Sequence, residues 1–430
     1  MLTGILGGGP SGVALQRFLD GDSEILEKED RVGGLCRSFQ KEGFSYDIGG
    51  HVIFSKNNEY MDFIRGVLAE NCGTRRRINQ VLFKGRYVKY PFENDLAALE
   101  VRDNLECLVG YLFNRHPKPS NFKEWMLATF GTGITKKYLA PYNEKIWKYP
   151  LEKMGLEWVG RVPKPPARDV IKSAFGIKTE GYVHQLNFNY PKRGGFEAMV
   201  KALSKENAHV VSNFRVQSIR RQGADWVVSD GWDQKRYDRL VSTIALPYLL
   251  DCLEQVPPDV RRAIEDLRYN PLRIVLVGVR HAGLKEKTAV YVPEPSILAH
   301  RICFMAAFSE WTVPVGKSSV IAEISTPKDG ELYRASDAYL VERVIADLEK
   351  LNILDRKDVV VTEVRRVEHG YVVYDLDYQK KMDKIRGYFK ELGVELLGRF
   401  AEFEYINSDQ AVIKALKLAQ KMNGRATCFR

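Results

Sequence analysis

A glycine-rich turn near the start of the chain constrains the fold more than any other feature of the sequence. Gly7, Gly9 and Gly12 satisfy the pattern G-x-G-x-x-G. An apolar run at 2–6 precedes the turn and a helix-like apolar run at 13–19 follows it, so the pattern predicts a strand, a tight turn and a helix. Glycines in such a turn let the backbone approach a pyrophosphate, which the positive end of the helix dipole then faces.

A second predicted strand, residues 23–27, ends in Glu27, which follows Gly12 by 15 residues. An acidic side chain at this place accepts hydrogen bonds from the ribose hydroxyls of a dinucleotide. Strand, turn, helix and strand together predict the βαβ start of a doubly wound α/β sheet. The sequence therefore predicts a Rossmann-like domain that holds an adenine dinucleotide.

Hydrophobic periodicity predicts the remaining elements. Residues 96–153 have a helical pattern, residues 210–243 alternate as in a β-meander, and the proline-rich stretch 162–166 marks a crossing between domains. Glycine-containing stretches near residue 85 and at 175–181 are candidates for a loop that closes over the site. Further strands are predicted at 273–280, 320–325 and 359–364, and further helices at 196–203, 339–351 and 409–422.

The predicted fold is a Rossmann-like dinucleotide domain with a discontinuous second substrate domain of helices and a β-sheet. The dinucleotide domain is assigned to residues 1–70, 190–250 and 385–430. Residues 71–189 are assigned to the helical substrate part, and residues 251–384 to the β-sheet substrate part.

Composition excludes several classes of protein. In 430 residues, 65 Lys and Arg outnumber 55 Asp and Glu, but the basic residues are spread along the chain, so no nucleic-acid partner is expected. Six cysteines without metal-ligand spacing predict reduced thiols in a cytoplasmic protein and no metal site. No apolar stretch approaches the roughly 18 residues that a membrane span requires, and the first residues lack the charged region of a signal peptide.

The segment that follows Glu27 contains the glycine pair Gly33 and Gly34. It resembles the second glycine motif of FAD-containing oxidases in the amine oxidase and protoporphyrinogen oxidase superfamily. The resemblance implies FAD rather than NAD, with Arg37 near the pyrophosphate or the flavin. The cofactor-binding residues expected in this part of the chain are Gly7, Gly9, Pro10, Ser11, Gly12, Glu27, Lys28, Gly33, Gly34, Leu35 and Arg37.

Several later segments are similar to the UDP-galactopyranose mutases, in particular those of the eukaryotic type. The similar segments follow in order along nearly the whole chain, at 47–55, 89–94, 141–147, 368–371 and 398–405. The resemblance implies a non-redox isomerisation between the pyranose and furanose forms of UDP-galactose or a related nucleotide sugar. In that chemistry N5 of reduced FAD attacks the anomeric carbon and expels UDP, the sugar opens as an iminium and recloses through another hydroxyl, and UDP then returns to displace the flavin. The resemblance does not say whether NAD(P)H or another reductant reduces the FAD, how many subunits assemble, or which sugar is bound.

The resemblance also assigns residues to the flavin. Gly49, Gly50 and His51 would form a loop beside the flavin ring, with His51 helping to set the ring's conformation. Arg399 would contact the flavin. Asp409 opens the last predicted helix, whose N-terminus would face the flavin where charge builds up on reduction.

A second set of residues would bind the nucleotide sugar. Arg161 and Arg280 would clamp the diphosphate, because a guanidinium presents a planar fork to phosphate oxygens. Tyr371 and Tyr405 would donate hydrogen bonds to the same oxygens. The remaining pocket residues implied by the resemblance are Phe54, Tyr90, Glu93, Asn143 and Trp147.

Two departures from the mutase pattern leave the sugar and the nucleotide open. Glu93 stands where the eukaryotic enzymes have glutamine, and Asp409 stands where they have asparagine. Two other readings of the chain also stay open. One is an oxidoreductase of the amine oxidase or protoporphyrinogen oxidase type, which takes hydride into oxidised FAD, and the other is a flavin-binding protein without catalysis.

Overall fold

The computed structural model of the protein describes residues 1–179, 186–425 and 427–429. The candidate loop at 175–181 therefore ends outside the described residues. The strands are β1 (Thr3–Leu6), β2 (Ser23–Leu26), β3 (Ser38–Lys41), β4 (Phe44–Asp47), β5 (Cys72–Arg76), β6 (Asn79–Phe83), β7 (Arg86–Lys89), β8 (Asn187–Pro191), β9 (His209–Val211), β10 (Ser218–Gln222), β11 (Asp225–Ser229), β12 (Gln234–Tyr237), β13 (Arg239–Ser242), β14 (Arg268–Val279), β15 (Ala289–Tyr291), β16 (Arg301–Phe304), β17 (Ser318–Ser325), β18 (Val359–Val373) and β19 (Val394–Leu396).

Helices cover the sheets and form a separate group in the middle of the chain. They are α1 (Pro10–Phe18), α2 (Asn58–Leu68), α3 (Val101–Leu112), α4 (Phe122–Ile134), α5 (Ala140–Trp147), α6 (Ala167–Ala174), α7 (Glu197–Leu203), α8 (Leu246–Cys252), α9 (Pro258–Glu265), α10 (Met305–Phe308), α11 (Glu331–Arg334), α12 (Asp337–Lys350), α13 (Tyr378–Leu392) and α14 (Ser408–Asn423).

The first of the two large sheets is parallel and has the strand order β19-β13-β1-β2-β9. Its central strand β1 is buried along its whole length, as expected for a parallel sheet covered on both faces. Helix α1 follows β1 directly and packs against α14. The predicted doubly wound α/β domain is confirmed. Of the meander predicted at 210–243, the middle is the three-stranded antiparallel sheet β10-β11-β12, whereas β9 and β13 at its two ends belong to the parallel sheet.

The second large sheet has seven strands in the order β18-β14-β17-β16-β15-β6-β7. Its long strands β14 and β18 pair antiparallel, with Asn270 opposite Tyr371 at one end and Val279 opposite Val359 at the other. Strands β6 and β7 belong to this sheet, although the sequence assigns residues 71–189 to the helical part. The division of the chain into domains stays a prediction.

The predicted helical stretch 96–153 is broken into α3, α4 and α5, with a π-helical turn at Thr135–Leu139 between the last two. Helices α3 and α4 approach closely, since a Cβ on Gly133 would lie 2.3 Å from the Glu106 carbonyl oxygen. No helix among the described residues is long and apolar enough to cross a membrane.

Candidate active site

A cavity of about 790 Å³ opens between the two large sheets. Its size lies within the range of small-molecule and cofactor sites in proteins. Fifteen of the residues predicted from the sequence line it, namely Gly7, Gly9, Pro10, Ser11, Glu27, Lys28, Gly34, Leu35, Arg37, Gly50, His51, Phe54, Tyr371, Arg399 and Tyr405.

At one end of the cavity the two glycine motifs meet. The Gly33 N–H donates a hydrogen bond to the Gly8 carbonyl oxygen at 2.8 Å. The Cα of Gly9 would lie only 2.9 Å from a Cβ on Gly34, whereas a Cβ on Gly9 would meet nothing closer than 3.8 Å. Gly9 also caps α1, and no side chain caps that helix end. The result is a cradle whose helix N-terminus has backbone N–H groups available for an anion.

Glu27 lies beside this cradle at the end of β2. Its side chain is buried and accepts hydrogen bonds from the N–H groups of Gly8 at 2.7 Å and Glu29 at 3.0 Å. Glu29 in turn forms an ion pair with Arg37 at 3.0 Å. The carboxylate is therefore fixed at the wall next to the glycine turn, where a ribose would lie.

His51 lines the middle of the cavity. Its imidazole stacks on Phe196 with ring centres 5.0 Å apart. Burial lowers its pKa to about 4, so the ring is neutral at pH 7. Among the described residues, the buried Nδ1 atom of this ring has no hydrogen-bond partner.

An ion pair that the sequence analysis missed lies directly behind His51. Arg301 and Glu323 face each other on β16 and β17, and they form two parallel hydrogen bonds of 2.7 and 2.6 Å. Glu323 also accepts the Gly50 N–H at 2.9 Å. Burial by itself raises the Glu323 pKa, but the Arg301 guanidinium outweighs it and holds the pKa at about 2. Glu323 thus fixes both Arg301 and the loop that carries His51.

Two tyrosines and an arginine continue this wall. The Tyr371 hydroxyl donates to Glu323 at 3.2 Å and lies 3.3 Å from Nε2 of His300. The Arg399 guanidinium lies 3.8 Å from the ring centre of Tyr405 and donates to the Gly370 carbonyl oxygen at 2.8 Å. This end of the cavity therefore offers cationic and hydroxyl donors to an anionic ligand.

These features fit a flavin dinucleotide. The cradle at Gly9 is shaped for a diphosphate, because only the missing side chain keeps it open. Besides Nδ1 of His51, Nε of Arg399 and Nε2 of His369 are buried at residues of the same wall without a hydrogen-bond partner among the described residues. Buried polar atoms are costly unless they are paired, so a ligand with several acceptors suits this cavity.

The structure does not bring Arg280 to the cavity. Arg280 follows the last residue of β14, eight residues beyond the cavity-lining Leu272, which corresponds to roughly 26 Å along a strand. Its exposed side chain donates to the Lys357 carbonyl oxygen at 2.6 Å and pairs with Asp358 at 3.6 Å. The structure thus places the predicted clamp residue Arg280 outside the cavity, whereas Arg301 and Arg399 are among the arginines that line it.

Other predicted residues lie behind the wall rather than on it. Arg161 is 5.3 Å from the Tyr405 ring centre and donates to Gln410. Trp147 packs edge-on against Tyr371 and Tyr405, and its indole N–H donates to Asn143 at 3.0 Å. The Asn143 amide also donates a hydrogen bond to the Leu139 carbonyl oxygen at 2.8 Å, so both ends of this amide are bonded to neighbouring residues of the protein. These side chains support the tyrosines that face the cavity.

Tyr90 and Glu93 form part of a deeper layer. Tyr90 packs on the cavity-lining Tyr291 with ring centres 4.7 Å apart. Glu93 is buried and is not a wall residue, and burial raises its pKa to about 7. Its predicted contact with the substrate is therefore not found at the wall, because its segment turns into the core after Pro91.

Three of the predicted glycines and Asp409 do not line the cavity but shape the backbone beside it. A Cβ on Gly12 would lie 2.1 Å from the Gly7 carbonyl oxygen, and Gly33 and Gly49 have φ values of 139° and 96°. Helix α14 begins at Ser408 with Asn407 as its cap, and both line the cavity. Asp409 itself accepts a hydrogen bond from Ser55 at 2.7 Å, so the helix end rather than this carboxylate faces the cavity.

A sequence signal for the missed ion pair existed. Glu323 interrupts the apolar strand β17, and Arg301 opens the apolar strand β16. A charged residue inside a buried strand requires a partner, and two such strands with opposite charges predict a pair. Within the described residues, no group of His, Cys, Asp and Glu side chains is placed to hold a metal ion.

Comparison with known proteins gives a consistent family. The family described as flavin containing amine oxidoreductase matches residues 14–386. A UDP-galactopyranose mutase of Mycoplasma pneumoniae is 24% identical over 173 residues, which cover 37% of this chain and 43% of that relative. The chain thus spans less than half of the length of that curated relative.

Solved structures extend the likeness to the whole chain. The crystal structure of a reduced UDP-galactopyranose mutase superposes with a TM-score of 0.89 at 26% identity, covering 98% of this chain and 95% of that one. A putative protoporphyrinogen oxidase from Exiguobacterium sp. 255-15 superposes with a TM-score of 0.78 at 18% identity, covering 98% of both chains. The second likeness shows the fold alone.

Proposed function

The chain belongs to the flavin-containing amine oxidoreductase family, and from this premise we propose that it is an FAD-dependent nucleotide-sugar mutase. The proposed reaction is the non-redox interconversion of the pyranose and furanose forms of UDP-galactose or a related nucleotide sugar. The observation that carries the proposal is the donor-rich wall around Arg301, Tyr371, Arg399 and Tyr405. A wall of this kind suits a diphosphate, whereas a cationic amine would be repelled.

The glycine cradle and Glu27 would hold the adenosine diphosphate half of FAD, and the loop from Gly49 to His51 would lie at its ring. Reduced FAD, when bound, supplies the nucleophile for the sugar, with NAD(P)H or another reductant providing the reduced form. Neutral His51 can donate or accept a hydrogen bond there without adding charge. The fold likeness to the mutase, with a TM-score of 0.89, supports the same reading.

The wall residues would bind and orient the substrate. Arg301 is held by Glu323 in one orientation, so its guanidinium is preorganised for the diphosphate. Tyr371 and Tyr405 would add hydroxyl donors, and Trp147 would keep their rings in place. Enclosure of the sugar between these side chains would keep water away from the reacting carbon.

An oxidoreductase is the second candidate, favoured by the family description and by the fold likeness to a putative protoporphyrinogen oxidase. It would use the same cradle but take hydride from its substrate into oxidised FAD. The two candidates differ in the redox state that is active and in the ligand that perturbs the flavin.

The test uses the purified chain loaded with FAD. The protein is reduced with dithionite without air and incubated with UDP-galactopyranose or UDP-galactofuranose, and the products are separated by chromatography. Interconversion by the reduced protein, and none by the oxidised protein, is the expected result. Bound flavin with no interconversion, and no spectral change on adding UDP, would reject the mutase. Such a result would leave the oxidoreductase or a non-catalytic flavin protein.

A pair of variants tests the wall assignment. Arg399→Ala removes a cation from the cavity and should weaken UDP binding about tenfold or more, since contacts to charged groups are strong. Arg280→Ala is the matched control, because that arginine is exposed and lies away from the cavity. Isothermal titration with UDP should separate the two, and equal losses in both variants would contradict the assignment.

A further inference from the structure

Helix α3 carries an apolar stripe that no other described part of the protein covers. Val101, Leu105, Val109 and Leu112 are spaced by four, four and three residues, so they share one face of the helix. Each of them is at least half exposed. The opposite face carries the buried Asp103, Cys107 and the contact of Gly110 with α4. The stripe therefore points straight away from the protein.

The stripe continues onto two neighbouring segments. Phe113 follows the end of α3, and Asn104 on α3 donates to the Ala174 carbonyl oxygen at 2.9 Å, which brings the end of α6 alongside. Phe175 and Ile177 follow Ala174 directly along the chain and are also exposed. We call this surface the α3 ridge, and its members are Val101, Leu105, Val109, Leu112, Phe113, Phe175 and Ile177, all exposed.

The α3 ridge is large for a surface that faces water. Phe113 and Phe175 are each 71% exposed, and two phenylalanines at that exposure present about 200 Å² of aromatic surface. Five aliphatic side chains add to it. Contiguous apolar patches beyond a few hundred Å² mark sites of interaction with a protein or a membrane.

Basic side chains outnumber acidic ones, six against four, on the segments 100–118 and 166–179 that carry the α3 ridge. The acidic residues of the segments 100–118 and 166–179 each have a basic partner: Glu100 with Arg86, Asp103 with Lys84 and Lys137, Glu106 with Arg102 and Lys137, and Asp169 with Arg168. Within the described residues, three other exposed basic side chains of these segments form no ion pair with a carboxylate, namely Arg115, Lys118 and Lys172. Lys178 is also exposed, but it interacts with the Asp95 carboxyl.

We propose that the α3 ridge binds the surface of a bilayer that contains anionic phospholipids. An interfacial helix presents aromatic and aliphatic side chains to the acyl boundary and basic side chains to the headgroups, and the α3 ridge has both. Helix α3 has 12 residues and is about 18 Å long, so it lies on the membrane and does not cross it. The proposal does not rest on the mutase reaction.

Charge decides between a lipid surface and a second copy of the chain. If two copies packed through their α3 ridges, the exposed Arg115, Lys118 and Lys172 of both copies would be brought to one interface. Like charges at an interface oppose such pairing, whereas anionic headgroups neutralise every basic residue of the rim. The +10 formal net charge of the chain acts in the same direction.

Vesicle co-sedimentation tests the proposal with the full chain loaded with FAD. The probes are vesicles of phosphatidylcholine alone and vesicles that also contain phosphatidylglycerol. We expect sedimentation only with phosphatidylglycerol, and less of it as salt is raised. Phe113→Ser with Phe175→Ser should abolish it. Arg115→Gln with Lys118→Gln and Lys172→Gln should weaken it by about fivefold for each residue replaced.

Matched controls remove equivalent groups elsewhere. Trp232→Ser deletes an aromatic side chain that is 93% exposed on the meander. The double variant Lys380→Gln, Lys390→Gln removes two exposed charges from α13. Each of these two control proteins should bind vesicles like the parent protein. Unchanged melting temperature and flavin content show that each variant is folded. Equal binding to both vesicle types, or no binding to either, would overturn the proposal. So would a dimer seen by light scattering, if the double phenylalanine variant is monomeric and the parent protein does not bind vesicles.

Discussion

Glu93 is a buried carboxyl whose charge opposes folding at neutral pH. It lies just after Pro91 in a segment that also buries Phe92 and Asn94. Burial raises its pKa from the ordinary value of 4.5 to about 7. Each pKa unit corresponds to about 1.4 kcal/mol, so ionising Glu93 in the folded protein costs about 3 kcal/mol more than in the unfolded chain.

The sign of the pH dependence follows from the proton count. Between pH 4.5 and pH 7 the folded state keeps the proton that the unfolded state has lost, so this group's contribution to stability falls as pH rises through that window. Below pH 4.5 both states are protonated and the group contributes nothing to the pH dependence. Glu93→Gln removes the titration while keeping the shape of the side chain.

Urea unfolding of the parent protein and of Glu93→Gln at several pH values measures this effect. The two free energies of unfolding should be similar near pH 4, and the variant should be more stable by up to about 3 kcal/mol at pH 8. Glu286→Gln, at an exposed position, serves as the control and should show no such trend. A difference between Glu93→Gln and the parent that stays constant with pH would refute the reasoning.

Two further predictions concern the cavity. Gly9→Val should fold normally but lose FAD, because a Cβ there meets no atom closer than 3.8 Å and the side-chain branches would fill the cradle. Flavin absorbance per protein measures this loss, and retained FAD would contradict the cradle. Gly66→Ala, at an exposed position of α2 where a Cβ meets no atom within 4 Å, is the control. Glu323→Gln should lower kcat/KM about ten- to hundredfold by weakening the hold on Arg301 and Gly50. The flavin's visible circular dichroism should change as well. Glu363→Gln, which lies in the same sheet and is paired with Arg365, should leave both unchanged.

The dinucleotide end of the site was predictable because its signals are local. A turn, a helix start and a strand end lie within the first 27 residues, and backbone geometry alone brings Gly9 and Glu27 to one edge of the sheet. The fold class could be predicted for the same reason. Observed bounds differ from predicted ones by a few residues in most elements, for example α1 at Pro10–Phe18 against a predicted helix at 13–19.

The far wall of the cavity was less predictable because it depends on strand register. Arg301 faces Glu323 only because β16 and β17 pair in one particular alignment, and a shift of one residue would turn the two side chains to opposite faces. The role of Arg280 was assigned from the resemblance to the mutases. Such a resemblance does not say which end of β14 meets the cavity, and the structure places Arg280 at the end away from it.

Register also explains why one carboxylate can organise so much of the wall. Glu323 lies in the middle of β17, with Arg301 of β16 beside it, and β14 separates β17 from the Tyr371 strand β18. Its two oxygens reach Arg301, the Gly50 N–H and the Tyr371 hydroxyl. A charge buried at this depth is stable only while those donors stay in place. The contacts to Glu323 therefore fix the positions of the arginine, the tyrosine and the His51 loop relative to one another. Binding and orienting a diphosphate requires donors that are fixed in this way.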